Sequence, residues 1–240
     1  MDAEWPPAPP EGYRLHDPED RQPWYVTGML YLWLVGVFVG VPMLVITVQG
    51  SDTAGTIVRE VLQPDRGDEW LVYGGWLVGT LAVLAVSHEA LHALASRWFG
   101  LRTQFQFEYR HPLSWSPETL TYGGFQTCGE SLTISLAPLV VLTPASIAVL
   151  GVSHHLWVVA SAALLVLGNS AGAVGDLASA AVLWQLPNGE LMYHDSTGRR
   201  QYYTPTTRSL AATEQRDETA EQRQPADHIQ NKSPDNQQQN

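Results

Sequence analysis

The chain has 240 residues, enough for one or two domains, and its 13 basic against 24 acidic residues give a net charge of −11. That balance excludes a nucleic-acid partner, since nothing here would neutralise phosphates. A single cysteine, Cys128, excludes an internal disulfide and any multi-cysteine zinc site. Lysine appears only at Lys232, so arginine supplies nearly all the positive charge, a halophile-like acidic composition.

Residues 1–22, with the stretch WPPAPPEGY, read as a flexible N-terminal arm that packs little. From 23 to 205 the chain reads as one membrane domain, with spans predicted at about 24–48, 71–99, 131–150 and 156–184. A helix needs roughly 20 mostly apolar residues to cross the hydrocarbon core, and each run is at or near that length. The first run is too long for a signal-peptide core and follows an acidic leader, so it reads as an uncleaved span. Residues 206–240 carry almost no large apolar side chains and read as a disordered tail. The predicted class is an all-α integral membrane protein with about four transmembrane helices.

Arginine sets the orientation. Arg14 and Arg21 precede span one, Arg97, Arg102 and Arg110 follow span two, and Arg199, Arg200 and Arg208 follow span four. The loop after span one offers Arg59 and Arg66 among five carboxylates, and the loop joining spans three and four has none. Both termini and the middle loop are therefore expected in the cytoplasm of a multi-pass protein of the cell membrane.

Within that middle loop, TQFQFEYRH alternates Phe105, Phe107 and Tyr109 with polar residues, the period of a strand. TLTYGGF repeats the alternation and ends on Gly123-Gly124, which predicts a small hairpin at the cytoplasmic membrane surface. Past span four, GELMYHDSTGRRQYY places Asp195 to Gly198 as a turn between two further short strands.

Chemistry concentrates in AVSHEALHALASRWFG, residues 85–100 of the second span. His88 and His92 lie about 40° apart on one helix face, one turn above the other, where two imidazoles reach a single metal ion. Glu89 projects to the flank, close enough to act on a water without being a ligand. This is the H-E-x-x-H pattern, two zinc ligands and a general base. Three ionisable groups at membrane depth cost at least a few kcal/mol without a compensating partner, and a metal is one.

Hydrolytic zinc sites take three protein ligands. Asp176 is the one charged residue inside span four, eight residues before Trp184, at about the depth of the histidines. His154 and His155 open that span on the opposite side and read as interfacial. Asn169 is close to two turns before Asp176, on roughly the same face, placed either to bind a substrate carbonyl or to serve as a structural amide.

HEALHALASRWFG, SLAPL at the start of the third span, GNSAGAVGDL in the fourth and LPNGELMYHDSTGRRQYY beyond it together resemble the putative zincin peptidase family. These are small integral-membrane proteins related in plan to site-2-type intramembrane metalloproteases. The resemblance covers roughly residues 70–205. It implies that His88, His92 and Asp176 hold Zn2+ and that Glu89 is catalytic. One departure concerns the third ligand: site-2-type enzymes carry an Asp-Gly pair, whereas the order here is Gly175-Asp176-Leu177.

The leading reading is thus a zinc-dependent metalloendopeptidase acting on a membrane protein or peptide substrate at or within the bilayer. A non-catalytic membrane scaffold or chaperone-like protein that retains a metal site is the alternative, and sequence does not separate the two. A haem protein gives Glu89 and Asp176 no work, and a transporter lacks paired broken helices in matching positions. Four spans are few to enclose a dry site, which raises a homo-oligomer.

Overall fold

The computed structural model describes residues 6–16, 24–62, 69–111, 114–187 and 189–206, so nearly all of the predicted tail and parts of the predicted arm lie outside the described residues. Among the described residues there are six helices: α1 (Trp24–Gln49), α2 (Ser51–Leu62), α3 (Glu69–Trp98), α4 (Cys128–Val152), α5 (Leu156–Gly172) and α6 (Val174–Leu183). Six strands accompany them: β1 (Tyr13–His16), β2 (Arg102–His111), β3 (Ser114–Tyr122), β4 (Phe125–Thr127), β5 (Leu191–His194) and β6 (Arg200–Pro205).

Three helices, α1, α3 and α4, are long and apolar enough to cross a membrane, and α5 with α6 makes a fourth candidate if the bent pair is one span. Their apolar residues are not confined to one stripe. Leu32, Leu71 and Val78 are 74%, 81% and 67% exposed, as expected for helices whose outer faces meet lipid. The fourth span differs from the continuous helix predicted for 156–184. It breaks at Ala173 with a bend of 41°, between Gly172 and Gly175, residues that hold a helical backbone least firmly.

Local chemistry explains where helices start and stop. Thr127 and Glu130 cap the start of α4 reciprocally, each side chain accepting from the other's backbone N–H. At the end of α3, Gly100 adopts φ +75°, Leu101 N–H donates to the Ser96 carbonyl and Gly100 N–H to that of Arg97. That pair of bonds is a Schellman stop, and it reverses the chain into β2. The short α2, absent from the prediction, packs Ala54 and Ile57 against Val45 and Leu150 at the far end of the bundle.

The mostly helical expectation holds, and the hairpins expected beside the helices form, among the described residues, two antiparallel sheets. One is four-stranded, ordered β1-β6-β5-β4; the other is the β2-β3 hairpin. The predicted turn at Asp195–Gly198 joins β5 to β6, and the Asp195 carboxylate accepts from the backbone of Thr197 and Arg199. The arm predicted to pack little instead supplies β1, paired Tyr13 with Pro205 through His16 with Tyr202. It does so because β6 would otherwise leave a bare edge, and because the buried Tyr203 hydroxyl finds an acceptor in the Pro7 carbonyl.

The hairpin packs along the second half of α3. Thr121 Oγ1 meets Ser96 Oγ at 2.7 Å, and two residues back Thr119 Oγ1 donates to the Glu89 carbonyl at 3.1 Å. Glu89 is seven residues above Ser96, about 10 Å along the helix. Strand β3 therefore runs back beside α3 toward its middle. On the other flank α5 crosses α3 closely, since a Cβ on Gly168 would come within 2.5 Å of Leu84 Cδ2. Gly168→Ala is expected to lower stability by about 1 kcal/mol, because a flexible leucine end must move, and a thermal unfolding series in detergent reads it.

Candidate metal centre

The histidines of α3 meet as the spacing requires. His88 Nε2 and His92 Nε2 are 3.2 Å apart. Asp176, in the first turn of α6, brings Oδ2 to 3.2 Å from His88 Nε2 and Oδ1 to 3.5 Å from His92 Nε2. One donor atom from each of the three residues falls within 4.8 Å of the others. A tetrahedral ion with ligand bonds near 2.0–2.1 Å separates its donors by about 3.3 Å, so the spacing fits zinc.

Hydrogen bonds on the far side of each ring decide which nitrogen faces the centre. His92 Nδ1 donates to the Ile134 carbonyl at 2.8 Å. That carbonyl is open because Pro138, four residues on in α4, has no N–H to occupy it. His88 Nδ1 donates to Asn169 Oδ1 at 2.9 Å, while Asn169 Nδ2 donates to the Pro138 carbonyl and to Thr143 Oγ1. With Nδ1 protonated on both rings, both Nε2 lone pairs point at one another and at a carboxylate. Three donor atoms so placed could hold a metal ion, and the outer bonds are of the kind that orients metal-ligating histidines.

Pro138 thus has a consequence for the site. Pro138→Ala restores an N–H that competes for the Ile134 carbonyl, and zinc affinity is expected to fall about 10-fold. Competition with a chromophoric chelator measures it; unchanged affinity would rule out the role of this carbonyl.

His88, Glu89, His92 and Asp176 all line one cavity of about 830 Å³. The Glu89 carboxylate has no hydrogen-bond or ion-pair partner among the described residues. Strand β3 forms one wall through Glu118, Thr119 and Thr121, and the β5–β6 hairpin supplies His194 and Arg200. Arg200 Nε donates to His194 Nε2 at 2.9 Å. Burial, followed by the Arg200 charge, holds the His194 pKa down at about 4, so this imidazole is neutral through the physiological range.

The predicted site residues separate into two groups. His88, Glu89, His92 and Asp176 converge. Asn169 is adjacent but is 1% exposed and does not line the cavity. Both ends of its amide are engaged by His88, Pro138 and Thr143, so the expectation that it binds substrate gives way to a structural amide behind His88. His154 and His155 precede α5 at the other end of the bundle and take no part. Reasoning from sequence missed Pro138, Thr119 and Arg200. Pro138 carried a readable signal, a proline inside an apolar span, but its beneficiary lies on another helix.

Fold and site together define a mostly helical bundle of three to four candidate membrane spans around a His-His-Asp donor group. Residues 81–191 match the family model described as putative zincin peptidase, the family that the chain's motifs resemble. The matched segment holds His88, Glu89, His92, Asn169 and Asp176; β1, α1 and most of the β5–β6 hairpin lie outside it. No curated protein and no solved structure matches the chain.

Proposed function

We propose that the protein is a zinc-dependent peptidase of the cell membrane that hydrolyses peptide bonds at or within the bilayer. The observation that carries this reading is the convergence of Asp176 on the facing Nε2 atoms of His88 and His92, with the Glu89 carboxylate on the same cavity. Four spans embed it, with the bent α5–α6 pair as the fourth. The cavity is at the end where α3 stops, α4 starts and the four-stranded sheet joins the N-terminal arm to β6. Arginines in the flanks assign that end, and both termini with it, to the cytoplasm.

His88 and His92 would hold zinc through Nε2 and Asp176 through a carboxylate oxygen. A zinc ion so bound supplies Lewis acidity, enough to bring the ionisation of a water to about pH 7. Glu89 accepts the proton from the attacking water and returns it to the leaving amine. Asn169 and the Ile134 carbonyl keep both rings in one tautomer and orientation throughout.

A substrate segment must leave its helix before its peptide bond is accessible. Among the described residues strand β3 pairs with β2 along one edge only, and its Thr119 to Thr121 line the cavity, so an unwound segment can add to it as a further strand. Retention of cleavage after deletion of residues 104–122 would overturn it.

The test is to reconstitute the protein in membrane vesicles containing the source membrane proteome and to map new protein termini by mass spectrometry. Cleavage sites present with wild type and absent with Glu89→Gln support a peptidase. Identical termini in both would leave the scaffold reading in its place.

A further inference from the structure

We infer that Trp33, on α1 and outside the segment that matches the family, is a positioning residue for the third metal ligand. The proposal rests on the metal reading above. It starts from the break in the fourth span. The last carbonyls of a helix have no partner within it, and those of α5 reach their end at Gly172. The indole N–H of Trp33 donates to one of them, Ser170 O, at 2.8 Å. One turn further along α1, Val37 and then Val41 pack on Val166 of α5, so the indole is delivered to the break by a fixed contact.

Asp176 stands three residues beyond Ala173, where the 41° bend occurs. Straightening the bend would displace that position by roughly 3 Å, from three residues of helix rise as the lever. The two ligand contacts of Asp176 are 3.2 and 3.5 Å, so a shift of that size separates the carboxylate from both histidines. A carbonyl drawn outward by Trp33 tilts away from the regular ladder of a continuous helix and favours the break. Through this one bond the first span sets the direction of α6 and aims its carboxylate.

Zinc affinity of the purified full chain, measured by chelator competition, tests this with the Co2+ absorption spectrum as a second readout of ligand geometry. Trp33→Phe keeps most of the ring and loses the donor, and its affinity is expected to fall about 10-fold with a changed Co2+ spectrum. Trp33→Leu, a second variant without the donor, must show the same loss. Val45→Ala loosens the α1–α5 contact at the far end of the bundle, where Val45 packs with Val159 and Ala162, and is expected to lower the unfolding temperature while affinity stays within about two-fold of wild type. Wild-type affinity in the Trp33 variants would overturn the proposal alone, as would an equal loss in Val45→Ala, which would mean general loosening. A wild type that takes up no zinc would overturn the metal reading and this proposal with it.

Discussion

Glu89→Gln is expected to lower peptide hydrolysis by at least ~10²–10⁴-fold while zinc content and thermal stability stay at wild-type values. The split between the readouts follows from position. Glu89 lies on the same helix turn as His88, yet its carboxylate is not among the three donors that converge, and it lines the cavity beside them. Glutamine keeps the volume and a polar tip but accepts no proton at neutral pH. The metal ligands and their outer hydrogen bonds are untouched by the change. Terminus mapping and elemental analysis on the same preparation check both halves. Zinc lost along with activity would make Glu89 a ligand, and full activity would remove it from the chemistry.

Asp176→Ala is expected to weaken zinc binding by about 10²–10³-fold. Structural zinc sites bind with roughly 10–16 kcal/mol over four ligands, so one ligand accounts for about 2.5–4 kcal/mol. Here the loss also leaves two Nε2 lone pairs 3.2 Å apart without the carboxylate that completes the donor set. His88→Ala is expected to lose at least as much. The folded state should survive both changes, since the packed clusters around Val45, Val37 and Leu183 do not include these side chains. Zinc per chain after dialysis against a weak chelator reads the effect. Retention of zinc by Asp176→Ala with loss in His88→Ala would move the third ligand elsewhere and leave the histidine pair standing.

Much of the site was legible because its signals are local. The i, i+4 spacing of His88 and His92 specifies a shared helix face whatever surrounds it, and Glu89 follows by adjacency. Asp176 was legible for a related reason: a lone carboxylate in an apolar run has few explanations, and counting residues to the flanking tryptophans matched its depth to the histidines. Both hairpins were readable from period-two alternation and turn residues. The arm was misread, since a strand at Tyr13–His16 has no local signature strong enough to outweigh its proline-rich setting; the exposed edge of β6, nearly 190 residues away, calls it into the sheet.

What the sequence determined by itself is the apolar length of the candidate spans, the shared His88/His92 face of α3 and the presence of a lone carboxylate in the fourth candidate span. Each depends only on residue type and helical or strand period. The tertiary structure decided the rest: that Pro138 opens the Ile134 carbonyl to His92, that Asn169 is bound behind His88 instead of facing the cavity, and that the fourth span bends at Ala173 to present Asp176. Each of these is a contact between groups on different helices. Their energy depends on distance and direction across the bundle, and no periodicity within one helix carries that information.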